Sequence, residues 1–153
     1  MPNLLRPLRI LVPALLAAFA AAGCESSTLS SGEVQGTFAL ETYGGDALPT
    51  PIFDAGVETH VLLADTMRLG PRGGGTQVRV VLVDFDDPTR PDRRDVSTST
   101  FEYQIRDGRL EITVNCPPNA LCAPGPHNVG THEGDALTLR FGDEVLHYRR
   151  VAD

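Results

Sequence analysis

The chain has 153 residues and a formal net charge of −7, with 20 acidic residues against 13 basic ones. Every basic residue is arginine, and this acidic balance argues against nucleic acid as a partner and against electrostatic docking on anionic lipid. With 41% hydrophobic residues the chain can bury a core. Beyond its N-terminal segment, about 120 residues suit a single domain.

At the N-terminus, Arg6 and Arg9 precede an apolar run from Leu15 to Gly23, and no acidic residue occurs before Glu25. A positive start, a short apolar stretch and small residues before a cut describe an export signal. The stretch is shorter than the roughly 20 residues of a spanning helix, and Pro13 interrupts it. An ordinary secretory signal would not need a cysteine at the cut. Cys24 directly after Ala21-Ala22-Gly23 resembles the lipobox of bacterial lipoproteins, although Ala21 stands where that family favours leucine. The resemblance implies a signal peptide over residues 1–23, acylation of the Cys24 thiol by diacylglycerol and palmitate-type chains, and anchoring on the extracytoplasmic side of the cell envelope. Glu25 is not the aspartate that retains such proteins at the inner membrane, so the outer membrane is expected where an organism has one. Residues 24–32 are Ser-rich and read as a lipidated flexible tether. The domain is then 33–153.

From there the pattern is β throughout, punctuated by 15 Gly and 12 Pro. Val34 to Glu41 alternates and ends at Gly44-Gly45-Asp46. Short runs follow at Val57 to Ala64 and Thr66 to Leu69, with Val61 and Leu63 expected inward. Gly73-Gly74-Gly75 reads as a loop. Val78, Val80 and Leu82 alternate with Arg79, Val81 and Val83, and Val80 and Leu82 are assigned to the interior. Phe101, Tyr103 and Ile105 alternate with polar residues up to Asp107-Gly108, the dipeptide of a two-residue type I′ turn. Leu110, Ile112 and Val114 continue beyond it, and Leu137, Leu139, Phe141, Leu146 and Tyr148 form a last hairpin around Gly142-Asp143. About eight hairpin-connected strands, each with one apolar face, predict an all-β fold, closed as a small antiparallel up-and-down barrel or packed as a sandwich.

Several of these segments resemble the small lipocalin-like bacterial lipoproteins of the calycin type. They are Gly36-Thr37-Phe38-Ala39-Leu40, Phe101 to Ile105 leading into Asp107 to Ile112, and Gly134 to Leu139 with Tyr148-Arg149-Arg150. Phe38 stands where classical lipocalins carry the tryptophan of Gly-x-Trp, and the chain has no tryptophan. The resemblance implies an up-and-down barrel that holds a small apolar ligand, with Phe38, Phe101, Tyr103, Phe141 and Tyr148 as candidate contacts. The alternative is a solid barrel that contacts another envelope protein.

Of the chemical candidates, Cys116 and Cys122 should pair as a disulfide in an oxidising compartment. A competing zinc site would add His127 and His132, but neither pair has the tight spacing of zinc ligands. His60 and His147 read as surface residues. Asp84-Phe85-Asp86-Asp87, with Asp92 and Asp95, lacks the glycine of a calcium loop and is interleaved with Arg90, Arg93 and Arg94, so it reads as a self-neutralised loop. No Gly-x-Ser-x-Gly elbow or phosphate loop occurs. An interior made only of apolar residues would supply no acid, base or nucleophile. The expectation is therefore a binding or interaction module, not an enzyme, without cofactor or metal.

Overall fold

Asp107 and Gly108 take φ of 52° and 71°, the paired positive values that a type I′ turn requires. They join the hairpin of β6 (Arg93–Arg106) and β7 (Arg109–Val114) in the register Tyr103 to Ile112 and Ile105 to Leu110. The computed structural model describes residues 33–116, 125 and 127–152. Among these the remaining strands are β1 (Gly36–Tyr43), β2 (Asp46–Ala47), β3 (Thr50–Asp54), β4 (Glu58–Leu69), β5 (Gly74–Phe85), β8 (Asn128–Glu133), β9 (Ala136–Phe141) and β10 (Glu144–Val151). Cys24 and the segments 1–23 and 24–32 lie outside the described residues.

Every pairing is antiparallel. β4 to β10 follow one another around the sheet, β10 pairs with β1, and β1 closes on β4 through Gly36↔Leu69 and Ala39↔Thr66. The result is a closed eight-strand barrel. β2 and β3 are not staves of the ring. They extend the free halves of β1 and β4 where those strands diverge.

Three strands are much longer than the others. β4 and β5 have 12 residues and β6 has 14. Gly74 and Gly75 belong to β5 and not to a loop. A Cβ on Gly75 would run into the Phe101 ring and sit 2.6 Å from the Arg68 carbonyl, so the bare backbone lets β4, β5 and β6 pack there. Gly75→Ala is expected to cost about 2 kcal/mol through overpacking, read as a lowered urea midpoint. Gly74→Ala, where a Cβ meets nothing within 4 Å, is the control.

Alternating strand directions place the turn before β5, the β6–β7 turn, the β8–β9 turn and the start of β1 at one end, called the base. The β9–β10 turn and the ends of β5 and β7 lie at the other, the mouth. Val34, Phe38, Leu69, Phe101, Tyr103, Leu110 and Leu137 fill the base and are all buried.

Arg150 fastens the base. It donates to the carbonyls of Gln35 and, at 3.1 Å, Glu33, and its guanidinium lies 4.7 Å above the Phe38 ring. It also donates to His132 Nε2 at 3.2 Å and pairs with Asp135 at 3.4 Å. His132 packs edge-on against Phe38 with ring centroids 5.8 Å apart. Burial first, and the Arg150 charge second, hold the His132 pKa below its ordinary value. A histidine with a depressed folded pKa stabilises the fold while both states are neutral. That contribution is lost as pH falls through the unfolded value of about 6.5. Urea midpoints are therefore expected to decline from about pH 7.5 to about pH 5.5 and to decline less in His132→Asn. Equal slopes in the two proteins would reject this.

Candidate functional site

The run Val78 to Val83 is apolar on both faces except at Arg79, so alternation alone could not reveal which face turns inward. The register shift between Leu62 and Ala64 in β4 decides it, because a bulge reverses the phase of the strand. Beyond the bulge Asp65, Met67 and Leu69 point into the barrel, and their partners across β5 are Arg79, Gln77 and Gly75. Val83 and Val81 share that inward face, Val83 buried and Val81 packed on the core. The expected assignment is thus corrected. Val61, Val80 and Leu82 face outward, Leu63 sits in the bulge, and the interior is not purely apolar.

Asp65 has a side chain with no exposed surface, facing Arg79 at 34% exposure. Arg79 donates from Nε at 2.8 Å to Asp65 Oδ2, and its Nη2 lies 2.7 Å from the same oxygen as an ion pair. Gln77 Nε2 donates to the two carboxylate oxygens at 3.0 and 2.8 Å. The carboxylate is therefore saturated by donors, the condition under which a buried charge is tolerated. Tyr148, 2% exposed, stands beside this group, and its hydroxyl has no hydrogen-bond partner among the described residues. Burial, and then the nearby Asp65 charge, push the phenol well above its ordinary pKa, so it keeps its proton.

Gln77, Arg79 and Tyr148 line one side of a cavity of about 410 Å³ that Met67, Leu139 and Leu146 line with apolar surface, with Asp65 behind them. Toward the mouth its wall continues with Ser99, Val114, His127, Asn128 and Phe141. His127 is fixed at both ends: its N–H donates to the Ile112 carbonyl at 2.7 Å, and its Nδ1 accepts from the Val114 N–H at 3.2 Å. In the neutral ring Nε2 therefore carries the proton and acts as a donor.

Of the five expected contacts, Phe141 and Tyr148 line the cavity, with Phe141 at the rim and 52% exposed. Phe38, Phe101 and Tyr103 instead pack the base. The Tyr103 hydroxyl is not available as a polar handle, because it donates to the Gly70 carbonyl at 2.5 Å. Asp65, Gln77 and Arg79 were not singled out from the sequence. The available signal was Asp65, a lone acid in step with Met67 and Leu69.

The other candidates separate. His127 immediately precedes β8 near the mouth while His132 lies in the base cluster, roughly 16 Å further along at about 3.3 Å per residue. They cannot share one zinc ion, and the described residues hold no group of three potential metal ligands. Cys116 follows β7 and is not free, while Cys122 lies outside the described residues. His60 is not simply a surface residue: it is half-buried, 2.5 Å from Glu58, with its ring tilted against Phe53 at a centroid distance of 5.1 Å. His147 is exposed and contacts Thr138. In the acidic loop Arg93 pairs with Asp95 at 2.7 Å and Arg90 lies over Phe85. Neutralisation there is incomplete, because the neighbouring Asp92 charge raises the Asp84 pKa. Compared with protein-family models, curated proteins and solved structures, the chain matches none.

Proposed function

We propose that this chain is a lipocalin-like envelope lipoprotein, tethered to the membrane through an acylated Cys24, whose barrel binds a small and mostly apolar molecule. The observation that carries the binding reading is the cavity of about 410 Å³ between the filled base and the mouth. That volume lies within the roughly 300–1,000 Å³ of small-molecule pockets, and an apolar wall with a few convergent polar groups is their usual composition. The Arg6/Arg9 start, the apolar run and Ala21-Ala22-Gly23-Cys24 support the anchor. Two or more acyl chains, each burying about 0.8 kcal/mol per methylene, would hold the protein at the membrane. A Cys116–Cys122 disulfide belongs to the same reading, since it fits an oxidising compartment. The function is binding and not catalysis, with no cofactor and no nucleic-acid partner.

Mass spectrometry of the protein from its native envelope tests both parts. The mature chain is expected to begin at acylated Cys24, and solvent extraction is expected to release a stoichiometric apolar molecule. A mature chain that retains residues 1–23 removes the anchor. Repeated extractions that release nothing, together with no uptake of an apolar fluorescent probe, remove the binding.

One observation favours the alternative of an interaction protein. On the outside of the barrel Val80 faces Val96, and Val96 is 63% and neighbouring Val78 37% exposed. If the probe does not enter the cavity, this outer apolar row is the surface to probe by crosslinking in the envelope.

A further inference from the structure

On one side β6 pairs with β5 from Arg93 to Glu102, but on the other it pairs with β7 only from Phe101 to Arg106. Its mouth half, Arg93 to Ser99, is therefore a free sheet edge among the described residues. The Asn115 N–H donates to the Thr100 carbonyl at 2.9 Å on the β7 side. By alternation the N–H and C=O groups of Thr98, Val96 and Arg94 point at that same edge, and among the described residues no backbone group meets them. Long edges are ordinarily blunted by a proline or a bulge. β3, at the end of the sheet, has both, Pro51 and a register shift beside it. β6 has neither: it contains no proline, and its register with β5 is unbroken. On the outer face of this edge Val96 stands 63% exposed beside Val80.

We propose that this edge pairs with the same edge of a second copy of the chain, antiparallel, about a two-fold axis at Val96. The register follows from the side chains. A two-fold pair sets one residue opposite itself, and an axis at Arg94 or Asp95 would bring two like charges face to face, which is unfavourable. An axis at Ser97 or Thr98 would need the partner's Thr100, whose carbonyl Asn115 already occupies. With the axis at Val96 the whole stretch from Arg93 to Ser99 lies against itself. Val96 then meets the partner's Val96, Arg94 the partner's Thr98 and Asp95 the partner's Ser97, so no like charges oppose. Arg93 and Asp95, on the other face, already neutralise one another at 2.7 Å. Arg94, Val96 and Thr98 each bring one donor and one acceptor, so about six backbone hydrogen bonds close the pair. The outer apolar row becomes continuous across the axis, from Val80 through the two copies of Val96. An edge of this length buries little side-chain surface, so the dimer is weak and depends on concentration. The pairing is independent of the binding and anchor readings above.

Sedimentation of the purified full chain over a concentration series tests it, and a reversible monomer–dimer equilibrium is expected. Val96→Pro removes an N–H that points away from β5, so it spares the β5–β6 ladder, yet it deletes two bonds at the axis. It is expected to weaken dimerisation more than about tenfold with little change in thermal stability. Val96→Lys keeps the N–H, sets two ammonium groups against each other at the axis, and is expected to give monomer; it decides the matter if the proline unfolds the barrel. In a hydrogen-bonded antiparallel pair the facing Cα atoms are about 5.5 Å apart, within disulfide reach. Mild oxidation of Val96→Cys is therefore expected to yield more covalent dimer than Thr76→Cys, which is exposed on the same outer face away from the edge, with the unsubstituted chain as background. A monomer up to millimolar concentration overturns the proposal and leaves the edge to a strand of another protein. A dimer that persists in Val96→Lys, or equal crosslinking at the two cysteine positions, overturns it as well.

Discussion

Phe38→Ala is expected to lower stability by about 4 kcal/mol, in the range for emptying a buried aromatic position. Phe38 is fully buried at the base, between the edge-on His132 ring and the Arg150 guanidinium. Alanine would leave a cavity where β1 meets β4 and β10, and it would remove the ring on which Arg150 rests while that arginine holds Glu33 and Gln35. Domains are stable by only about 5–15 kcal/mol, so this one change is a large fraction of the total. Phe38→Leu keeps most of the volume and is expected to cost no more than about 1.5 kcal/mol. Phe141→Ala at the open rim is expected to stay below about 1 kcal/mol, because half of that ring already meets solvent. Urea midpoints of the three variants decide the matter. A Phe38→Ala loss no larger than that of Phe141→Ala would mean that the base is not the stabilising core.

Arg79→Met is expected to cost about 3 kcal/mol. It strands Asp65, whose side chain has no exposed surface, with Gln77 as its remaining donor, and removing one member of a buried ion pair is costly for that reason. Asp65→Asn should cost less, about 1–2 kcal/mol, because Arg79 reaches solvent and can hydrate its unpaired charge. The asymmetry follows from which partner is deeper. In the double variant neither charge remains, so its loss is expected to be smaller than the sum of the two singles. A double-mutant cycle measures this coupling directly. Additive losses would show that the pair contributes no interaction energy, and a larger loss for Asp65→Asn would show that the burial order is reversed.

Where one face of a strand is polar, the pattern was readable. Phe101, Tyr103, Leu110, Ile112, Leu137, Leu139, Leu146 and Tyr148 all point inward as their alternation predicts, and Asp107-Gly108 makes the turn that its composition demands. The pattern was not readable in β4 and β5. Val78 to Val83 offers apolar side chains to both faces, and a one-residue bulge near Leu63 is invisible in composition yet exchanges inside for outside. This error of phase is what hid the polar wall. An arginine between valines looks like an outward residue until a carboxylate on the neighbouring strand is placed opposite it. The candidate contacts were half legible for a related reason. Aromatic residues mark the interior, but only their height along the barrel separates Tyr148 at the cavity from Phe38, Phe101 and Tyr103 at the base.

The sequence by itself determined the first strand, the β6–β7 and β9–β10 hairpins and the apolar identity of the base, because these follow from local alternation and from turns closed within a few residues; β3, β8 and the start of β5 were not legible in it. It also carries the export pattern around Cys24, which is read from order along the chain and needs no fold. Only the tertiary structure decided that β1 closes on β4, that the bulge turns Asp65 inward opposite Arg79, and that a cavity remains beside an unpaired Tyr148. Those facts depend on strand register between residues distant in the chain, and register is set by the pairing energy of the whole sheet and not by any segment alone.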